Sequence, residues 1–143
     1  FAGLPLRVTL NTPQQLTVSV SGVYLSFIFY HFSRILPLQK FRGVNLLSVK
    51  EIGLTKAYTL GRRATYKDYV DLYFVLREKH CALQQLMKLS QKKYGENFDP
   101  RLFLEELVYL EDVSPAAIKF LKQPVSKAAL QKFFETQVKK IKL

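Results

Sequence analysis

The stretch KAYTLGRRATYKDYVDLYFVL, from Lys56 to Leu76, limits this chain more than any other. Two segments with apolar residues recurring every three or four positions flank Gly61, the pattern of two helices joined by a tight turn. Around that turn stand one lysine, a double arginine and a Lys-Asp pair. Charges of both signs therefore lie against a face that should be core. A solvated turn has little use for that arrangement, whereas a site that handles phosphate does.

The bulk properties fit one ordinary domain, or a small domain with an appendage, in 143 residues with 48% apolar content. The net charge of +11, from 22 Lys+Arg against 11 Asp+Glu, favours a polyanionic partner such as nucleic acid, a nucleotide or an acidic protein. Alternatively, the excess charge only aids solubility. A single cysteine, Cys81, excludes an internal disulfide and has no CxxC neighbour, so an oxidising compartment and a zinc site are not expected. The longest apolar run, Val23 to Phe32, is broken by Ser26 and His31 and falls short of the ~20 residues of a membrane helix. The start FAGLPLRV lacks a basic n-region and a small-residue cleavage site, so a cytoplasmic location is expected, with no membrane partner.

The first third reads as strand. Leu6 to Leu10 and Leu16 to Val20 alternate, Ser21-Gly22 offers a tight hairpin turn, and VYLSFIFY is apolar on both faces, as a strand covered on both sides would be. Pro37 to Gly43 reads as a loop leading to a short strand, Val44 to Leu47. Helices follow. Ser48 with Glu51 forms a capping box for a helix to about Leu60, with Gly61 as its stop. Thr65 caps a helix from Tyr66 to about Lys79, apolar over most of its circumference and so the central buried one. Further helices are expected over Ala82 to Tyr94, from Pro100 behind the Asp99 cap to Leu110, over a short piece near Ala116 to Leu121, and after Ser126 with Leu130, Phe133, Phe134, Val138 and Ile141 inward.

Within the opening stretch, Val49, Ile52, Lys56 and Leu60 are spaced by three or four, which puts Lys56 inside or beside an apolar stripe. Such a lysine can snorkel to water or serve a site. Asp68 and Asp71 are three apart and share a face near a helix N-terminus. They can act as caps and ion-pair partners of Arg62, Arg63 or Lys67, or as functional carboxylates.

The run LLSVKEIGLTKAYTLGRRATYKDYVDLYFVL resembles the signature of the AbiEii-type nucleotidyltransferase family, the toxin halves of certain bacterial toxin–antitoxin and phage abortive-infection pairs. It is similar at Leu47, Ser48, Ile52, Lys56, Ala57, Arg62 or Arg63, Lys67, Asp68, Asp71, Leu72, Tyr73 and Phe74. The preceding VSVSGVYLSFIFYHF and the following KKYGENFDPRLFLEELVYLEDV resemble the family's flanks, so the likeness runs from about Val18 to Leu121.

The resemblance implies an α+β fold: a small antiparallel sheet remnant of a polymerase-beta-like core over residues 1–47, then a helical domain of about five helices over 48–143. It implies nucleotidyl transfer from an NTP, with Mg²⁺ held by a Gly-Ser motif and an Asp-x-Asp pair. Lys56 would neutralise nucleotide phosphates, Asp68 or Asp71 would be the later functional aspartate, and Arg62, Arg63 and Lys67 would line the approach of phosphate or acceptor RNA such as tRNA. An antitoxin is the implied protein partner. These 143 residues contain no Gly-Ser–x–Asp-x-Asp segment, and the strand position where a third acid often stands reads Tyr24-Leu25-Ser26. The expectation is therefore the carboxy-terminal part of an enzyme, inactive alone. The alternative is a non-catalytic basic module that binds RNA or an acidic antitoxin.

Overall fold

The structure is a computed structural model that describes residues 3, 5–63, 65–115, 118–121 and 123–141. It divides into two compact units, Phe1–Ser33 and Arg34–Leu143. With antiparallel sheets and five α-helices among the described residues it is an α+β chain, as the sequence leads one to expect.

The first unit is a three-stranded antiparallel sheet, β1 (Leu6–Thr12), β2 (Gln15–Val20) and β3 (Val23–Ile28), with β2 in the centre. The β2–β3 turn is Ser21-Gly22, with φ of 49° and 80°. Positive φ at both central residues matches the right-handed twist of the strands it joins. Register places Val18 opposite both Val8 and Leu25, and Val20 opposite both Leu6 and Val23, so one face is apolar. The other face carries Thr17, which shares a hydrogen bond of 2.9 Å with Ser26. Only Val18 and Val20 of this sheet are buried. The expectation that VYLSFIFY is covered on both sides is not met among the described residues: β3 is there an edge strand, and Val23, Tyr24, Phe27 and Ile28 are 60% to 69% exposed. A doubly apolar strand signals cover on two sides only where a second layer exists to provide it.

The second unit opens with a hairpin, β4 (Gln39–Phe41) and β5 (Val44–Leu46), around Arg42-Gly43 with φ of 48° and 80°. Residues 39–41 lie in the segment expected to be loop; the Arg-Gly turn supplies the register that makes them a strand. Then come α1 (Val49–Arg63), α2 (Tyr66–Arg77), α3 (Leu83–Tyr94), a 3-10 turn (Gly95–Asn97), α4 (Pro100–Val108) and α5 (Lys127–Val138). The expected helix near 116–121 is not formed over the described part, 118–121; residues 116 and 117 lie outside the described residues. Gly61 does not stop α1, which continues to Arg63. The last turn is held by Arg62, whose guanidinium lies 3.7 Å over the Tyr58 ring and donates to the carbonyls of Tyr58 (3.3 Å) and Asn97 (2.9 Å).

The core gathers on α2, as expected. Tyr69 and Leu72 are fully buried, and the Tyr69 hydroxyl donates to the carbonyls of Glu106 and Tyr109, pinning the end of α4. The Tyr66 hydroxyl donates to Val125 O at 2.7 Å, just ahead of α5. Helix α1 turns Gly53, Leu54, Ala57 and Leu60 inward. At Gly53 a methyl group would stand 3.0 Å from Val75 and 3.3 Å from Leu86, so α1 meets α2 and α3 where it has no side chain.

Glu51 departs from its expected capping role. Ser48 Oγ does accept from Glu51 N at 3.1 Å, but the Glu51 carboxylate turns into the core. There it pairs with Lys93 Nζ at 2.6 Å and accepts from Leu36 N at 3.0 Å, with the side chains of Lys93 and Glu51 only 2% and 1% exposed. The pair thereby ties α3 and the segment leading to β4 onto α1. Removing one partner of a buried pair leaves an uncompensated charge, so Lys93→Met should cost roughly 3–5 kcal/mol in denaturant unfolding. A variant as stable as the parent would show that the pair carries no such burden.

Candidate active site

The site begins with two helices that fold back on each other through a link at Thr65. Lys56 lies two turns before the end of α1, beside the buried stripe rather than in it, since Val49 and Ile52 are themselves partly open to solvent. Thr65 is extended, with φ −113° and ψ 154°, and starts α2; Asp68 is the third residue of that helix. One helical turn on, Asp71 projects from the same face.

The Lys56 ammonium stands between the two carboxylates, 2.8 Å from Asp68 Oδ1 and 2.7 Å from Asp71 Oδ2. Its side chain is 21% exposed. Burial works to lower the pKa of Lys56, but the hydrogen bonds and charges of Asp68 and Asp71 outweigh it and leave the value above that of an ordinary lysine. For Asp68, burial works upward and is outweighed by bonds from Lys56 and Thr65, leaving the carboxyl below the ordinary aspartate value. Lys56 is therefore a fixed cation at neutral pH and Asp68 a fixed anion. Neither is poised as an acid or a base.

Of the other sequence-predicted residues, Lys67 joins Asp71 on the wall of a cavity of about 360 Å³ that also reaches Phe74 and Phe120. A second cavity of about 280 Å³ adjoins Asp71 from the side of Val49, Ile52 and His80. Asp71, Phe74 and Glu78 line both, so a groove runs along one stripe of α2. Arg63 is exposed. Arg62 lines a different cavity, of about 370 Å³, together with Tyr58 and Asn97. The structure thus brings Lys56, Asp68 and Asp71 together, sets Lys67 beside Asp71 on one cavity wall, and gives Arg62 to a different cavity.

Sequence reasoning missed the groove residues Glu78 and His80, which approach each other at 3.2 Å. They flank Lys79, whose φ of 59° ends α2, and no sequence periodicity announces that turn. The sequence marks Thr65 only as a cap. The structure has Asp68 Oδ2 accepting from Thr65 N (3.2 Å) and from Thr65 Oγ1 (2.6 Å), a spacing of three that the sequence does display.

These residues do not fit a Mg²⁺ ion. The place a cation would take between Asp68 and Asp71 is held by the Lys56 ammonium, and among the described residues no group of three or more His, Cys, Asp or Glu could hold a metal. No described helix is long and apolar enough to cross a membrane.

The shifts set a pH dependence. Asp68, lowered on folding, stabilises fully above the unfolded value near 3.9, and that stabilisation is lost as pH falls through the lower folded value. Lys56, raised on folding, stabilises fully below about 10.4 and loses its contribution as pH rises through the higher folded value. For this half-buried pair Asp68→Asn should cost about 1–2 kcal/mol at pH 7. The gap to the parent should narrow below about pH 4. Unfolding free energies at pH 7, 5 and 3 check this, and a gap independent of pH refutes it.

An uncharacterized protein of Aquifex aeolicus (strain VF5) is 33% identical over 95 residues, which cover 65% of this chain and 46% of that protein. The chain thus spans about half the length of the curated relative it matches. No solved structure matches. The model of a family described as nucleotidyl transferase AbiEii toxin, type IV toxin–antitoxin system, matches residues 3–142. With nearly the whole chain matched, the protein belongs to the AbiEii nucleotidyl transferase toxin family.

Proposed function

We propose that this chain supplies the phosphate-neutralising lysine of a toxin that transfers a nucleotide from an NTP to an acceptor hydroxyl, with RNA such as tRNA as the acceptor. In that reaction the acceptor oxygen attacks the α-phosphorus and diphosphate leaves. Charge builds on the phosphate oxygens, and a preorganised cation in a site screened from water lowers the barrier.

One observation carries the reading. A lysine ammonium has three N–H donors, and Asp68 and Asp71 take two of them. The third has no protein partner among the described residues, and Lys56 is partly exposed and in contact with Asp71, which lines the groove. It is thus available to a phosphate oxygen without further ordering of the side chain. The raised pKa keeps the group charged, which suits charge neutralisation.

Lys67, exposed beside Asp71, and exposed Arg63 add positive charge along the approach of a polyanion, in keeping with the net charge of +11. Mg²⁺ and the bulk of NTP binding fall, on this reading, to a Gly-Ser and Asp-x-Asp segment outside these residues. Residues 1–47 would then contribute sheet to the catalytic core and 48–143 the helical lobe. An antitoxin protein would be the cellular partner, as the family implies.

In the full-length protein Lys56→Met should lower nucleotide transfer roughly 100- to 1,000-fold while the chain remains folded. Incorporation of labelled nucleotide into total RNA measures it. Transfer at the parent's rate by a folded Lys56→Met variant would remove Lys56 from the site. If the parent retains RNA in a salt-dependent way yet transfers nothing, the non-catalytic RNA-binding module replaces the enzyme.

A further inference from the structure

The two carboxylates around Lys56 are not equivalent. Asp68 uses both oxygens inside the protein: Oδ1 accepts from Lys56 Nζ, and Oδ2 accepts from the Thr65 hydroxyl at 2.6 Å and the Thr65 amide at 3.2 Å. It is buried, in the first turn of α2. Asp71 Oδ2 accepts from Lys56 Nζ at 2.7 Å, while its Oδ1 has no protein partner among the described residues. Its side chain is 37% exposed, and it lines both cavities of the groove, whereas Asp68 lines neither.

We propose that Thr65 and Asp68 form a clamp that sets the position of the Lys56 ammonium, and that Asp71 is the carboxylate that meets the ligand, accepting a hydrogen bond from a ligand hydroxyl at its free oxygen. The inference rests on the nucleotidyl-transfer reading of the groove. An ionised carboxylate only accepts, so it repels phosphate oxygens and receives hydroxyls. The Lys56 ammonium only donates, and its charge favours phosphate oxygens. One ligand carrying both phosphate and hydroxyl groups can therefore satisfy the two side chains, which stand 2.7 Å apart.

The short bond from Thr65 to an ionised oxygen is of the charge-assisted kind, about twice as strong as a neutral one. It removes the freedom of Asp68 to rotate, and with it the freedom of Lys56 to leave. Thr65 is on this account a positioning residue and touches no ligand.

The test uses the full-length protein with Thr65→Val, Thr65→Ser and Asp71→Ala, and follows both transfer kinetics and the NMR titration of the Lys56 side-chain nitrogen. Thr65→Val should lower kcat about tenfold with KM within about twofold, and should lower the Lys56 titration midpoint; Thr65→Ser should restore both. An unchanged midpoint in Thr65→Val overturns the clamp. Asp71→Ala should lower kcat/KM about 100-fold or more, and wild-type kcat/KM in that variant overturns its role. A 2′-deoxy nucleotide identifies the hydroxyl: a lost difference between parent and Asp71→Ala assigns it to the nucleotide, a persisting one to the acceptor. If the parent transfers nothing, the transfer reading falls and the Asp71 assignment with it, while the Lys56 titration still decides the clamp.

Discussion

The candidate site depends on one contact, that of the Lys56 ammonium on α1 with the carboxylates at the start of α2. Helix α1 would otherwise place a cation next to buried leucines, and α2 would carry two like charges on one face of its first turns. Each is unfavourable alone. Together they offset each other in part, leaving one net negative charge at a place where one side is open to solvent. The pair of helices can therefore be part of the core and still offer a charged surface.

Two acidic residues in this unit stand at the same capping position and meet opposite fates. Glu51 leaves its cap and turns inward to Lys93 and the amides of Ile35 and Leu36. Asp68 stays, accepts from Thr65, and still reaches Lys56. The difference lies in side-chain length and in what lies opposite. The longer Glu51 can span to α3, where a buried lysine and two backbone N–H groups wait. Asp68 is too short to leave its own turn, and its lysine comes to it from α1.

Much of this is legible in the sequence. The caps at Asp99 and Ser126 accept from Leu102 N and Ala129 N as their spacing implies, and the apolar circumference of Tyr66 onward marks α2 as central. The periodicity puts Lys56 inside or beside the apolar stripe, and the structure has it beside. What is not legible depends on neighbours distant in the chain. Whether β3 is covered is a property of the layer around it. Gly61 ends a helix only if nothing holds the next turn, and here Arg62 is anchored by Asn97, 35 positions away. Likewise the unlike roles of Asp68 and Asp71 arise from exposure and from Thr65, while their spacing treats them alike.

Gly53 lies one turn from Lys56 on α1, and Val75, its contact, lies one turn from Asp71 on α2. The interior closeness of the helices and the height of the ammonium above the carboxylates are thus two ends of the same lever. Even a single added carbon at position 53 would need the Val75 and Leu86 side chains to give by a few tenths of an ångström, at a buried spot one turn from the charged residues. Tuning of this chemistry can therefore arise in the hydrophobic interior, with every polar group left in place.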